Sequence, residues 1–206
     1  MVKPIISTRP QLFCEQFWAK KLKTATIVPE HISNEGLITG INGMLVGRDS
    51  DFCEALPNNI LKCSNMTLPQ MIALTDMEFK LLKPTTEKLT LWRGVGEPKT
   101  NNPHRISKFD KAYNSKVGDI ITMPEYAFAS QEFYYPKFIM RQATAVGSQR
   151  GILYKIEVPE GSKISKHTHY NFPRNSKFEC TSIKDINDAE GNYRLIEIRY
   201  IKPEEP

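Results

Sequence analysis

Three short stretches hold side chains whose types could do chemistry together. The first is Leu91-Trp92-Arg93-Gly94-Val95-Gly96. It closes a run, Lys88-Leu89-Thr90-Leu91-Trp92, in which β-favouring and polar residues alternate, and this predicts a strand. A cation at a strand end, beside glycine backbone that other groups can approach closely, suits a phosphate-bearing ligand. The second stretch, Tyr126-Ala127-Phe128-Ala129-Ser130, brings a hydroxyl to the end of another short strand. The third, Ser176-Lys177-Phe178-Glu179-Cys180, supplies a carboxylate. Strand periodicity puts Lys177 and Glu179 on one face, with Phe178 and Cys180 on the other.

In this order and spacing, Arg93, Ser130 and Glu179 make the chain resemble the Arg-Ser-Glu class of mono-ADP-ribosyltransferases. The Leu-Trp-Arg-Gly-Val string is most similar to the small transferases that tailed bacteriophages make against their hosts. The resemblance covers about residues 85–202. It implies an enzyme that cleaves the nicotinamide–ribose bond of NAD and passes ADP-ribose to a host macromolecule, a protein before a nucleic acid, in the bacterial cytoplasm. The chemistry requires no metal and no membrane. The ribose carbon becomes oxocarbenium-like, so the enzyme chiefly holds the ends of NAD and stabilises positive charge where it develops.

The resemblance also implies roles. Arg93 holds a phosphate or ribose oxygen with its planar fork. Gly94 offers backbone groups to the nicotinamide carboxamide, Ser130 orients the arginine and the carboxylate, and Glu179 supports the ribose. Tyr134 or Tyr135 stacks on the nicotinamide. Gln131 and Glu132 depart from the Ser-Thr-Ser pattern of the family. Lys177 stands where arginine-modifying members carry an acid or amide, and an ammonium there would repel an incoming guanidinium. The segment His167–Arg174 takes the place of the acceptor loop, with Tyr170 and Phe172 to stack on an acceptor and Arg174 to meet a phosphate. Two other readings stay open: the same chemistry on RNA or DNA, or a domain that binds NAD or a partner without catalysis.

The elements that must position these residues form an α+β arrangement. Residues 1–85 read as helical: Phe13, Phe17, Trp18 and Leu22 recur at helical spacing, a second pattern runs over Asn34–Val46, and a third over Leu68–Leu82 with Thr67 and Pro69 at its start. Glycines at 36, 40 and 43 weaken the middle helix, which then needs tertiary contacts. From Lys88 the pattern changes to short strands: Leu89–Arg93, Asp119–Met123, Ala127–Ser130, Ile152–Val158, Lys163–Ser165, Phe178–Ile183 and Arg194–Lys202, with a helix over Pro136–Val146. The expected whole is one transferase domain, with an N-terminal helical segment packed on a split antiparallel sheet core.

Composition bounds the rest. The 206 residues suffice for a core of ordinary size. No apolar run approaches the roughly 18 residues of a membrane span, and the N-terminus is too short in its apolar part for a signal peptide. Cys14, Cys53, Cys63 and Cys180 form no close pair, so free thiols are expected. His167 and His169, one residue apart, lack the cysteine or acidic neighbour that a metal site needs. The formal charge of +5 favours approach to an anionic dinucleotide or a nucleic acid without selecting either. There is no Gly-x-Gly-x-x-Gly, no phosphate loop of the Walker type and no Gly-x-Ser-x-Gly, so a Rossmann oxidoreductase or a serine hydrolase is unsupported.

Overall fold

In the computed structural model, residues 76, 79–80, 82–98, 103–143, 150–166, 169–188 and 191–204 are described. The chain divides into two compact units, Met1–Lys83 and Pro84–Pro206. In the first, Asp76, Phe79 and Lys80 are helical, within the third predicted helix. The first two predicted helices, with Phe13, Phe17, Trp18 and Leu22, lie outside the described residues, as do Cys14, Cys53, Cys63 and His167.

The second unit contains two sheets and two helices. Its elements are β1 (Leu89–Gly96), α1 (Pro103–Tyr113), β2 (Ile120–Met123), β3 (Phe128–Ala129), α2 (Tyr134–Ala143), β4 (Gly151–Val158), β5 (Ser165–Lys166), β6 (Tyr170–Asn171), β7 (Ser176–Asp188) and β8 (Gly191–Ile201). Five strands form one sheet in the order β1-β4-β8-β7-β2, and three form another in the order β3-β6-β5. The larger sheet is mixed, because β4 and β8 run parallel, so the expectation of purely antiparallel sheets is corrected here. Of this pair β4 is buried along most of its length, while β8 alternates between buried and more exposed positions.

Strand alternation builds the core. Leu89 and Leu91 of β1, Ile152, Tyr154 and Ile156 of β4, Ile196 and Ile198 of β8, and Phe178 and Cys180 of β7 all join one buried cluster. The small sheet contributes Ala129 and Tyr170 to it, together with Ala127, Ile164 and Phe172 beside its strands. Cys180 is therefore a buried free thiol. The opposite face of the large sheet is covered near β4 and β8 by α2, where Met140, Leu153 and Tyr193 form a smaller cluster with Trp92 and Phe133 packed on it.

Two elements were not read from the sequence. Asn101-Asn102-Pro103 has the composition of a turn, yet Pro103 opens α1. Proline at the first helical position is a helix-start signal, and Ile106, Phe109 and Tyr113 supply a periodic apolar face. The second is β6, whose two residues are too few to show a period and were placed in a loop. Among the described residues no helix is long and apolar enough to cross a membrane.

Candidate functional site

Arg93 is fixed by its strand. It sits opposite Tyr154 of β4, and by alternation its side chain leaves β1 on the same face as Leu91. The guanidinium is largely buried and already engaged. Nη1 donates to the Phe128 carbonyl at 2.9 Å and Nη2 to Glu125 Oε1 at 2.9 Å. Its Nε is buried without a partner. The second oxygen of Glu125 accepts from Lys108 Nζ of α1 at 2.8 Å. Glu125 is 8% exposed. Burial alone would raise its pKa, but the charges of Arg93 and Lys108 together hold the carboxyl below the usual range.

Neither Glu125 nor Lys108 was picked out from the sequence. The acid stands just ahead of the aromatic strand, and the lysine lies on the helix that was missed, so no local pattern links them.

The depressed carboxyl has a consequence for acid stability. A group whose folded pKa lies below its unfolded value stabilises the fold at higher pH, and loses that contribution as pH falls through the folded pKa. Glu125→Gln is therefore expected to lower the melting temperature at neutral pH and to flatten its decline below about pH 4.3, the ordinary carboxylate value. Thermal melts of parent and variant from neutral to acid pH check this. Parallel curves would mean that the pair is not formed.

Ser130 is placed by β1. Its amide and carbonyl exchange hydrogen bonds with those of Trp92 at 2.8 and 2.7 Å, an isolated antiparallel bridge. Trp92 uses its backbone groups on this edge, and alternation sends those of Gly94 to the same edge just beyond the bridge. Ser130 Oγ accepts from the Glu132 amide at 3.1 Å, which fixes the turn leading into α2. That helix lies hard on β1: a Cβ built on Gly94 would be 1.8 Å from the Pro136 carbonyl oxygen. Phe133 meets Trp92 edge to face at 4.9 Å. Tyr134 and Tyr135 are exposed at the start of α2, and Tyr135 stacks flat on His169, 4.9 Å between centroids and 12° between planes.

Glu179 leaves the large sheet on the face opposite to the Arg93 side chain, the face of Trp92, Gly94 and α2. Glu179 pairs with Arg199 of β8, and Arg199 pairs with Glu157 of β4, which pairs with Thr90 of β1. Thr90 and Arg93 leave β1 on opposite faces, so Glu179 lies on the face away from Arg93. The salt bridges agree: Lys88–Glu157 at 2.9 Å, Glu157–Arg199 at 3.1 Å and Arg199–Glu179 at 4.0 Å make a row across that outer face. Such exposed pairs contribute little to stability.

Lys177 is exposed on the same outer side as Glu179. Tyr170 and Phe172 are interior, 7% and 0% exposed, and cannot stack on an acceptor as expected. Both join the buried cluster, where Phe172 meets Phe178 at 5.2 Å and Tyr200 at 5.1 Å. Arg174 lies in the turn before β7, half-buried.

The candidate residues thus comprise an Arg93–Glu125–Lys108 ion cluster with Arg93 and Glu125 largely buried, the edge of Gly94, and Ser130 with the aromatic start of α2 and His169 against Tyr135. No protein-family model matches the chain, and no curated protein matches it in sequence. Solved structures do match its fold. The catalytic domains of VahC and VsdC from Aeromonas hydrophila each have a TM-score of 0.52 at 15% identity, covering 84% and 82% of this chain and 100% of their own. Plx2a, an ADP-ribosyltransferase toxin from Paenibacillus larvae, has a TM-score of 0.50 at 14% identity, with 91% of this chain and 92% of that chain covered. The chain has the fold of an ADP-ribosyltransferase toxin.

Proposed function

We propose that this chain is an NAD-dependent mono-ADP-ribosyltransferase that modifies a protein of a bacterial host. The observation that carries the reading is that Arg93 and Gly94 directly follow Trp92, whose bridge to Ser130 ties β1 to the end of β3, on a fold shared with an ADP-ribosyltransferase toxin. The sequence resemblance and the fold likeness both support it.

The residues present suit NAD in part. The backbone donor and acceptor of Gly94 lie on an edge that the bridge leaves open, and a carboxamide needs one of each. Tyr134 and Tyr135 offer exposed ring faces close by. Arg93 keeps only Nε unpartnered, so its fork organises the mouth through Glu125 and Phe128, and the ligand would meet a cationic neighbourhood in place of a free fork. NAD brings a good leaving group, nicotinamide, and an electrophilic ribose carbon. The chain therefore has to bind, orient and accept a proton, with no covalent step of its own.

Incubation with NAD labelled in its adenylate phosphate and a bacterial lysate tests the reading. Label should pass to macromolecules with release of nicotinamide, and protease should remove it. Removal by nuclease in place of protease would move the acceptor to nucleic acid. Absence of both label and nicotinamide release would overturn the transferase assignment.

A further inference from the structure

We propose that the ammonium of Lys108 is the group that meets the diphosphate of NAD in the reaction just proposed; the inference rests on that reading and deepens it. It gives the anion a partner other than Arg93. Both terminal nitrogens of Arg93 are engaged, Nη1 by the Phe128 carbonyl and Nη2 by Glu125 Oε1, and its Nε is buried. The arginine side chain is 15% exposed, against 36% for that of Lys108.

The position of Lys108 follows from its helix. Phe109 anchors α1 in the core and stacks on Tyr113, 5.7 Å between centroids. Lys108 directly precedes Phe109 and so stands at the border of the buried face, half-buried itself. Its Nζ donates to Glu125 Oε2 at 2.8 Å. An ammonium carries three donors, so two remain for a ligand.

A second observation is the balance of charge. One carboxylate stands between two cations, with one oxygen turned to each. The two cations keep Glu125 ionised at neutral pH against its burial. The cluster therefore carries an excess positive charge, and the more exposed of its cations is where a ligand meets that excess. Arg150 shows the contrast: it faces two carboxylates, Glu97 and Asp110, and that trio has no positive charge in excess.

A diphosphate is negative on both phosphates and presents acceptor oxygens on several sides, so a compact ammonium with rotatable donors suits it without a fixed fork. Glu125 links Lys108 to Arg93, and Arg93 directly precedes Gly94. The diphosphate cation and the edge proposed for the carboxamide are thus joined by one chain of contacts. Arg93 and Glu125 act in it as positioning residues for Lys108.

The test uses the full chain and two probes besides NAD: ADP-ribose, which keeps the diphosphate, and nicotinamide, which lacks it. Binding of NAD and ADP-ribose to the parent, Lys108→Gln and Lys108→Arg is measured by calorimetry, together with kcat and KM for NAD, inhibition of turnover by nicotinamide, and melting temperature. Loss of one charge-assisted contact should weaken NAD and ADP-ribose by about tenfold or more in Lys108→Gln. KM should rise by a similar factor, with kcat within about threefold of the parent. Nicotinamide should inhibit parent and variant alike. Lys108→Arg should bind within about threefold of the parent, because it keeps the charge. Added salt should weaken the parent more than Lys108→Gln.

Parental affinity for NAD and ADP-ribose in Lys108→Gln would overturn the proposal while leaving the transferase reading intact. Equal losses for ADP-ribose and nicotinamide, with a lowered melting temperature, would overturn it in favour of a supporting role under Glu125. A parent that binds ADP-ribose through Lys108 but releases no nicotinamide from NAD would overturn the transferase reading alone. A parent that binds neither NAD nor ADP-ribose would overturn both.

Discussion

Replacement of Gly94 by alanine is expected to lower the melting temperature by about 6–12 °C and to remove most transferase activity. The added methyl would meet the Pro136 carbonyl oxygen at 1.8 Å, its carbon at 2.8 Å and Met140 Cβ at 2.9 Å. Two of these three atoms are helix backbone, so no side-chain rotation relieves the contact, and α2 has to move off β1. Overpacking typically costs about 1–3 kcal/mol, a contact that only backbone movement relieves lies at the upper end, and each kcal/mol shifts the melting point of a chain this size by about 2–4 °C. The helix that moves carries Tyr134 and Tyr135, so the stack on His169 loosens with it. Differential scanning calorimetry and an NAD turnover assay on the same preparation check both effects. A variant melting within about 2 °C of the parent would mean that α2 does not sit on Gly94 as described.

That glycine illustrates how far the sequence could be read. Gly94 stood out because it follows an arginine at a strand end, and the strand was found. The glycine was assigned to ligand approach, whereas its nearest neighbour is a helix 42 residues away in sequence. A single glycine tells that something comes close and cannot tell what. The strands at Leu89, Ile152, Phe178 and Arg194 were legible because their burial alternates or is continuous, which is local information.

Glu179 marks the boundary of that information. Periodicity correctly set Glu179 and Lys177 on one face of β7 and Phe178 and Cys180 on the other. Which face looks toward Arg93 depends on the register of β7 through β8 and β4 to β1, four strands that no local pattern aligns. The same holds for Glu125, whose importance comes only from contacts with Arg93 and Lys108, each more than ten residues distant. His169 was noticed for its spacing to His167, a metal pattern. Its place against Tyr135 follows from the position of α2, which no local pattern shows.

Arg93→Ala is expected to cost more than Gly94→Ala in function and to be partly recoverable in stability. Removal of the guanidinium leaves Glu125, 8% exposed, with Lys108 as its remaining charged partner, and the Phe128 carbonyl without its donor. Breaking a buried ion pair from one side costs about 3–5 kcal/mol; the surviving Lys108 contact places this case at the lower end. Arg93→Lys should fare little better, because one ammonium on a flexible stem cannot reach both the carbonyl and the carboxylate as the fork does.

The double variant Arg93→Met with Glu125→Met separates the two roles. It removes both buried charges and fills their volume, a change that is often neutral or stabilising, and Lys108 is exposed enough to turn to water. Its melting temperature should recover to near the parent. Transferase activity should not recover, because the cationic mouth is gone from beside Gly94 and Ser130. Measured NAD affinity and melting temperature across the single and double variants decide the matter. Activity returning together with stability would make Arg93 a strut between β1 and β3 and nothing more. Stability returning without activity would assign the buried ion cluster to NAD, with Glu125 as the group that keeps the guanidinium in place.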